Sequence, residues 1–395
     1  MIIQPHIQGC VARNCHPLGC RAAVHEQIER VRAAGTFAGP KRVLVIGASS
    51  GFGLASRIAL TFGAGADTIG ISLERGPSEK GLGSAGWYNN IWFREAAEGE
   101  GRVALNLIGD AFSDTLRQQA VTAIRERLGQ VDLVVYSLAS GLRMLPDGSQ
   151  VRSVLKSTGS PFSGLGYDLE HDALIPQSLD PASEQEIRDT VSVMGGEDWQ
   201  IWMQALAEAG CLAHGVQTVA YSYIGHESTY PLYRDGTIGY AKEHLHASAE
   251  AINLQLAGMG GHVWVAVCKA LATKASAFIP VLPVYLAVLM QVMKERGTHE
   301  GCIEQMMRLF GDKMYGGRGV LADGHRLIRM DDRELDPQTQ AAVAALWARV
   351  TPENFRTLGD FTGLRRDFLA LNGFGLAGVD YQAPLEPSFL LALHP

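Results

Sequence analysis

Short runs of β-branched and aliphatic residues alternate with amphipathic stretches along most of the chain. "RVLVIG", Arg42 to Gly47, is apolar and ends in glycine; "FGLASRIALTFG" has helical periodicity; "ADTIGISLE", Ala66 to Glu74, is apolar again. These three runs predict a strand, a helix and a second strand, a βαβ unit. The alternation continues through a helical "NNIWFREAAEGEG", a strand "RVALNLIGD" ending at Asp110, a helix "DTLRQQAVTAIRERLG" and a strand "VDLVVYSLAS". Strands so uniformly apolar are covered on both faces, as in parallel sheets.

After Gly141 the rhythm breaks. Residues 142 to 180 are rich in Gly, Ser, Pro and Asp, contain an extended "DALIPQSL", and read as an insertion at the sheet edge or at the mouth of a site. Two helices, "SEQEIRDTVSVM" and "EDWQIWMQALAEAG", prolong it, so that the inserted region spans 142–215. Alternation resumes with a strand from Gln217 to Gly225, a helix from Thr237, its predicted N-cap, to Met259, and a strand from His262 to Cys268. "AFIPVLPVYLAVLMQVM", Ala277 to Met293, is the most apolar window, yet it is shorter than the roughly 20 residues of a membrane-spanning helix and carries prolines. It reads either as a buried helix or as the wall of an apolar cleft, with Ile279, Leu282 and Leu286 at near-helical spacing. A charged hairpin, "GHRLIRMDDREL", and two terminal helices complete the expected elements.

The pattern predicts an α/β fold: a doubly wound parallel Rossmann sheet of about six strands, with large insertions and a helical C-terminal extension. We expect one enlarged domain over 1–395, residues 275–395 supplying substrate-side and terminal helices. Composition agrees, with 395 residues, 47% apolar, 19% charged and 45 glycines. A net charge of -7 gives no basic footprint, so nucleic acid is not an expected partner. The N-terminus lacks the basic start and apolar core of a signal peptide, and the cytoplasm is the expected location. Cys10, Cys15 and Cys20, with His6 and His16 nearby, suggest a metal at first glance, but the paired C-x2-C spacing of zinc sites is missing and no metal is expected.

"VLVIGASSGFGLASR" places Gly47, Gly51 and Gly53 between the first strand and helix, where glycines admit a pyrophosphate to the unpaired amides of a helix start. The spacing matches the short-chain dehydrogenase/reductase variant of the dinucleotide loop. Glu74 ends the second strand, where a carboxylate accepts ribose hydroxyls and repels a 2′-phosphate. This favours NADH, while the adjacent Arg75 keeps NADPH open as the second choice. Asp110 either contacts adenine or caps the helix after "AFSDTL"; Leu138 and Ala139 end the fourth strand at the same carboxyl edge.

"YPLYRDGTIGYAKEHLH" supplies a tyrosine and a lysine, Tyr233 and Lys242, nine residues apart. On one helix this spacing would put them on opposite faces. Gly236 breaks the chain between them, so Tyr233 belongs to a loop that folds back over the start of the helix carrying Lys242. A nearby ammonium would lower the tyrosine pKa.

Taken with "GASSGFGLASR", "GWYN", "GDAFSD", "VDLVVYSLAS", "MGGEDW", "AYSYIG", "KERGTHEGCIEQ" and "ELDP", the Tyr-x8-Lys pair resembles the FabV/TER family of trans-2-enoyl thioester reductases over almost the whole chain. The resemblance implies a short-chain-reductase-like sheet and NADH-dependent reduction of an enoyl thioester, on acyl carrier protein or CoA, in fatty acid elongation; a monomer is expected separately, on the ground that the insertions cover surfaces related reductases use for assembly. It implies that Gly47, Ala48, Ser49, Ser50, Gly51 and Phe52 hold the NADH pyrophosphate, with Leu73 and Glu74 at the adenosine ribose. Asp110 and Ala111, Leu138 and Ala139, and Leu271, Ala272 and Thr273 complete the cofactor contacts. Tyr223 touches the acyl thioester, Tyr233 is the catalytic donor and Lys242 serves both catalysis and the cofactor. "SLERG" departs from the family's commoner sequence after the second strand, which bears on NADH against NADPH. Two other readings stand beside this one: a ketone or alcohol short-chain dehydrogenase, which would place a serine where Ala220 lies, and a non-catalytic NADH sensor.

Overall fold

The computed structural model describes all residues except 80, 146 and 232, and among these a seven-stranded parallel sheet forms the centre. In chain order its strands are β1 (Arg42–Ile46), β2 (Asp67–Ser72), β3 (Ala104–Ile108), β4 (Val131–Tyr136), β5 (Leu212–Ser222), β6 (His262–Val267) and β7 (Leu327–Arg329). Across the sheet they run β3-β2-β1-β4-β5-β6-β7. The order reverses between β1 and β4, which opens a crevice at the carboxyl ends where such sheets bind ligands.

Twelve helices accompany the sheet among the described residues: α1 (Pro17–Ala34), α2 (Gly51–Ile58), α3 (Ala85–Gly99), α4 (Asp114–Arg127), α5 (Glu184–Met194), α6 (Glu197–Glu208), α7 (Thr237–Leu256), α8 (Leu282–Glu295), α9 (Cys302–Arg308), α10 (Pro337–Trp347), α11 (Phe355–Leu358) and α12 (Phe361–Ala370), before a short C-terminal turn of helix. Successive strand side chains point to opposite faces. Val43 and Val45 of β1 accordingly pack with α1, α2, α3 and α9, and Leu44 and Ile46 with α4, α6 and α7. All four are fully buried, as a strand covered on both faces requires.

The structure departs from the sequence reading at several elements. The stretch expected as a charged hairpin contributes β7, a seventh parallel strand pairing with β6 from Leu327 opposite Val265 to Arg329 opposite Val267. Its charges are paired: Arg329 with Asp331 just beyond the strand, and Arg326 with Glu250, 76 residues earlier in the chain. Thr237 does not cap α7. Gly236 holds the cap position, and Thr237 is buried with its hydroxyl donating to Val154 O at 2.6 Å. Nor does Asp110 cap α4, since Ser113 accepts from Leu116 N while Asp110 accepts from Phe112 N.

The inserted region forms two antiparallel hairpins, Leu142–Met144 with Gln150–Arg152, and Phe162–Asp168 with Ala173–Leu179. Between them the chain pins the Tyr233 loop. Lys156 O accepts from Thr237 N at 3.0 Å, and Thr158 donates to Asp235 O. The second hairpin packs on α8, where Gln177 Oε1 accepts from Val281 N at 3.3 Å. Val281 precedes α8 with φ 63, a left-handed conformation strained for a β-branched residue. Helix α8 itself is buried almost all round, against α10, α12 and this hairpin.

Gly239, in the first turn of α7, lets the loop fold back. A Cβ there would lie 1.8 Å from Arg234 O and 2.8 Å from Tyr233 O. Gly239→Ala is therefore expected to destabilise the protein by about 1–3 kcal/mol, as overpacking does. A thermal or urea unfolding curve matching wild type would show that the loop moves away without cost.

Candidate functional site

The nucleotide turn is built from backbone crowding. Gly47 has φ 90, and a Cβ on it would lie 2.3 Å from Ser137 O; a Cβ on Gly53 would lie 1.8 Å from Gly47 O. These contacts seat the start of α2 against the ends of β1 and β4. Ser50, at the cap position, makes no side-chain capping bond, so the first amides of α2 remain for an anion. Leu138 N and the Thr273 methyl group lie within 4 Å of the Cβ positions of Gly47 and Gly51, respectively. The fold thus gathers Gly47 to Phe52, Leu138 and Thr273 around one crevice, and this cradle fits a dinucleotide.

At the end of β2, Glu74 accepts hydrogen bonds from Ser49 and Ser84. Gly86 makes room for it, because a Cβ there would lie 1.9 Å from Glu74 Oε1. Leu73 beside it is 74% exposed, an unusual position for leucine and an apolar platform next to the carboxylate. Arg75 is exposed, with its amide donating to Ser84 Oγ. Ala139 is exposed at the end of β4, while Ala111 is buried after β3 with its carbonyl accepting from Trp202. Leu271 and Ala272 follow β6; Ala272 and Thr273 line a small cleft with Leu286 and Phe368.

Tyr223 lies beyond the end of β5, and Tyr233 meets it edge to face, ring centroids 4.5 Å apart at 88°. Both are nearly buried. Among the described residues, the Tyr233 hydroxyl has no hydrogen-bond partner, whereas Tyr223 donates to Glu334 Oε1 at 2.9 Å. Burial pushes the Tyr233 pKa up, so the expectation of a lowered value is overturned: desolvation outweighs any ammonium. Lys242 Nζ donates to Tyr221 O at 3.1 Å, and burial lowers its pKa to about 8, opposed by Cys268. Cys268 influences both groups electrostatically, raising the pKa of Tyr233 and of Lys242 as the lesser cause at each. Ile279 and Leu282 line a cleft with Tyr233, Tyr285 and Trp347, so Ile279 and Leu286, aligned in sequence, serve different clefts.

Several groups here had no sequence signal of their own. Glu334, fully buried, also accepts from Tyr285 Oη at 2.8 Å and Ala270 N at 2.7 Å. Lys269, equally enclosed, donates to Ala270 O at 2.8 Å and is lowered by burial to about 8, with Glu334 and Glu300 opposing. "ELDP" contained Glu334, but a charged stretch gives no sign that one carboxylate is buried. In the N-terminal cysteine cluster, His16 caps α1 by accepting from Gly19 N, and Cys15 and Cys20 pack in the core. No group of three metal-ligating side chains and no helix long and apolar enough to cross a membrane occurs among the described residues.

Comparison with known proteins places these features in context. Three family profiles match consecutive parts of the chain: an NAD(P)H binding domain of trans-2-enoyl-CoA reductase over residues 2–79, a trans-2-enoyl-CoA reductase catalytic region over 81–315, and an enoyl reductase FAD binding domain over 322–385. An enoyl-[acyl-carrier-protein] reductase [NADH] 2 of Photobacterium profundum is 54% identical over 391 residues, covering 98% of each chain. The trans-2-enoyl-CoA reductase of Clostridium acetobutulicum, solved with NADH, is 44% identical with a TM-score of 0.98 over 100% of both chains. That of Treponema denticola, solved with NAD, is 46% identical with a TM-score of 0.93 over 98% of both. Residues 322–385 do not fit a flavin here. Gly359, Gly363 and Gly373 are crowded by protein atoms, and the buried carboxylates of Asp331 and Glu334 are held by Arg329, Tyr223, Tyr285 and Ala270.

Glu74→Ala is expected to weaken NADH by about 1 kcal/mol or more, the scale of a hydrogen bond to a charged group, and to weaken NADPH less. Fluorescence titration with both cofactors measures this. Equal losses would remove Glu74 from the ribose.

Proposed function

Because the chain belongs to the trans-2-enoyl-CoA reductase family, we propose that Tyr233 and Lys242 are the groups with which it carries out NADH-dependent reduction of trans-2-enoyl thioesters to saturated acyl thioesters. The observation that carries this assignment is the unpartnered hydroxyl of Tyr233, beside Tyr223 at the carboxyl edge of the sheet that also bears the nucleotide turn. When bound, NADH supplies hydride to C3 of the conjugated acyl chain. Negative charge then grows on the thioester oxygen, and a hydroxyl donor placed beside it stabilises the transition state more than the ground state.

Burial keeps Tyr233 protonated, so it acts as a neutral donor through the pH range of growth. Lys242 uses one proton on Tyr221 O and has two more N–H donors for ribose hydroxyls. With a pKa of about 8 it is largely charged at neutral pH, and the charge also favours the developing oxyanion. Ile279, Leu282, Tyr285 and Trp347 surround the Tyr233 ring with apolar surface suited to an acyl chain. The alcohol-dehydrogenase reading loses support on a specific point. Ala220 is fully buried where the serine of those enzymes would stand, and Ser222 is paired with His246.

The carrier is acyl carrier protein or CoA, and the role is the final reduction of fatty acid elongation. A monomer in the cytoplasm fits the chain, because the inserted hairpins and C-terminal helices complete the mouth from within one polypeptide. NADH oxidation with crotonyl-CoA, run beside acetoacetyl-CoA, tests the substrate class. Turnover of the ketone alone would overturn it.

Tyr233→Phe is expected to lose on the order of 10²- to 10³-fold in turnover with NADH affinity kept, the scale of removing one oxyanion donor. Lys242→Ala is expected to lose both. The alkaline limb of the wild-type kcat/KM profile is expected near pH 8, where Lys242 deprotonates, and to shift in Lys242→Arg. An unchanged limb in that variant would assign it elsewhere, Lys269 being the nearest candidate.

A further inference from the structure

Three donors converge on one buried carboxylate where the sheet, the cofactor stretch and the apolar helices meet. Glu334 Oε1 accepts from Tyr223 Oη and Tyr285 Oη, and Oε2 accepts from Ala270 N. Gln340 Nε2 closes the back of the cluster by donating to Tyr285 Oη at 3.0 Å and Glu334 O at 2.7 Å. An ionised carboxylate only accepts, so both tyrosine protons and the Ala270 N–H point at Glu334. Burial is the largest influence and raises the Glu334 pKa on balance, while Lys269, the Ala270 amide and both tyrosine hydroxyls oppose it by favouring the ionised form.

The proton count has a consequence for the neighbouring rings. Tyr223 carries one hydroxyl proton, and it is spent on Glu334. Its oxygen can still accept a hydrogen bond from a ligand, but it has nothing to donate to an enolate. Tyr233, stacked edge-on against it, keeps its proton free. We propose that Glu334 is a positioning residue that commits the Tyr223 proton to itself and leaves Tyr233 as the hydroxyl that donates to the substrate oxygen. The Ala270 bond ties this arrangement to the stretch leading into Leu271, Ala272 and Thr273. The inference rests on the reductase reading above.

Glu334→Gln changes one oxygen into an NH2 at constant size. Ala270 N–H still requires an oxygen, so the NH2 faces the tyrosines, whose hydroxyls must then accept and turn their protons outward. Tyr223 becomes a second donor beside the substrate. The double variant Y233F/E334Q is therefore expected to reduce crotonyl-CoA at least about tenfold faster than Y233F, a partial return of one oxyanion donor. Adding Y223F should remove the gain. A merely structural Glu334 predicts the opposite, a double variant no faster than Y233F, and that result overturns the proposal.

Circular dichroism and NADH titration establish folding of each variant. Should E334Q not fold, Y223F with Glu334 intact carries the test. It is expected to raise KM for crotonyl-CoA and to lower kcat far less than Y233F does, because the substrate loses no donor while Glu334 loses one of its three. A kcat loss matching that of Y233F overturns the proposal. Wild-type protein that fails to oxidise NADH with crotonyl-CoA would instead overturn the reductase reading itself.

Discussion

Where α2 begins, two stretches of backbone pass so close that no side chain fits between them. Gly53 sits beneath the carbonyl of Gly47, which in turn presses against Ser137 at the end of β4. This contact fixes the angle of α2 to the sheet and therefore the direction of its free amides. One turn later, Arg57 is fully buried and reaches across to Thr68 and Leu105 O, at 3.0 and 2.7 Å, and to Asn106, binding β2 and β3 to the same helix. Gly70 yields the space for its guanidinium. Glu74 and Leu73 are held at the edge of the crevice because β2 cannot shift relative to this anchor.

The mouth of the site is made by parts added to that sheet. The segment between the two inserted hairpins grips the Tyr233 loop through Lys156 and Thr158, and the second hairpin grips Val281 through Gln177. One insertion therefore touches both the tyrosine loop and the entrance of the apolar helix α8. The strained backbone at Val281 is held by that hydrogen bond and by the close fit of its side chain over Gly164. Such strain persists where the surroundings over-determine it.

The sequence made the first six strands legible because strands buried on both faces, such as β1, β2 and β4, have few choices besides aliphatic residues, and the half-buried edge strand β3 keeps a mostly aliphatic run. β7 was not legible. It has three residues, flanked by Arg326 and Asp331, whose charges are satisfied by Glu250, distant in sequence, and by Arg329 of the strand itself. The Tyr233–Lys242 geometry could be read because Gly236 breaks the chain between them, although the residue that admits the fold-back is Gly239. The role of Thr237 was misjudged because a threonine before a helix resembles a cap until its hydroxyl finds a carbonyl from the insertion. Glu334 escaped altogether. Its three donors come from β5's end, the loop after β6 and α8, and no local pattern links them.

Glu334 lies 111 residues beyond Tyr223 along the chain, outside the stretch matched by the catalytic-region profile. During synthesis, the nucleotide turn, Tyr233 and Lys242 all emerge before the residue that accepts the Tyr223 proton. A nascent chain can thus acquire its cofactor cradle early, while its proton inventory is completed only when β7 and α10 dock. Assembly of the hydrogen-bonded cluster around Tyr223 is in this sense a late event in the birth of the protein, however early its recognisable motifs appear.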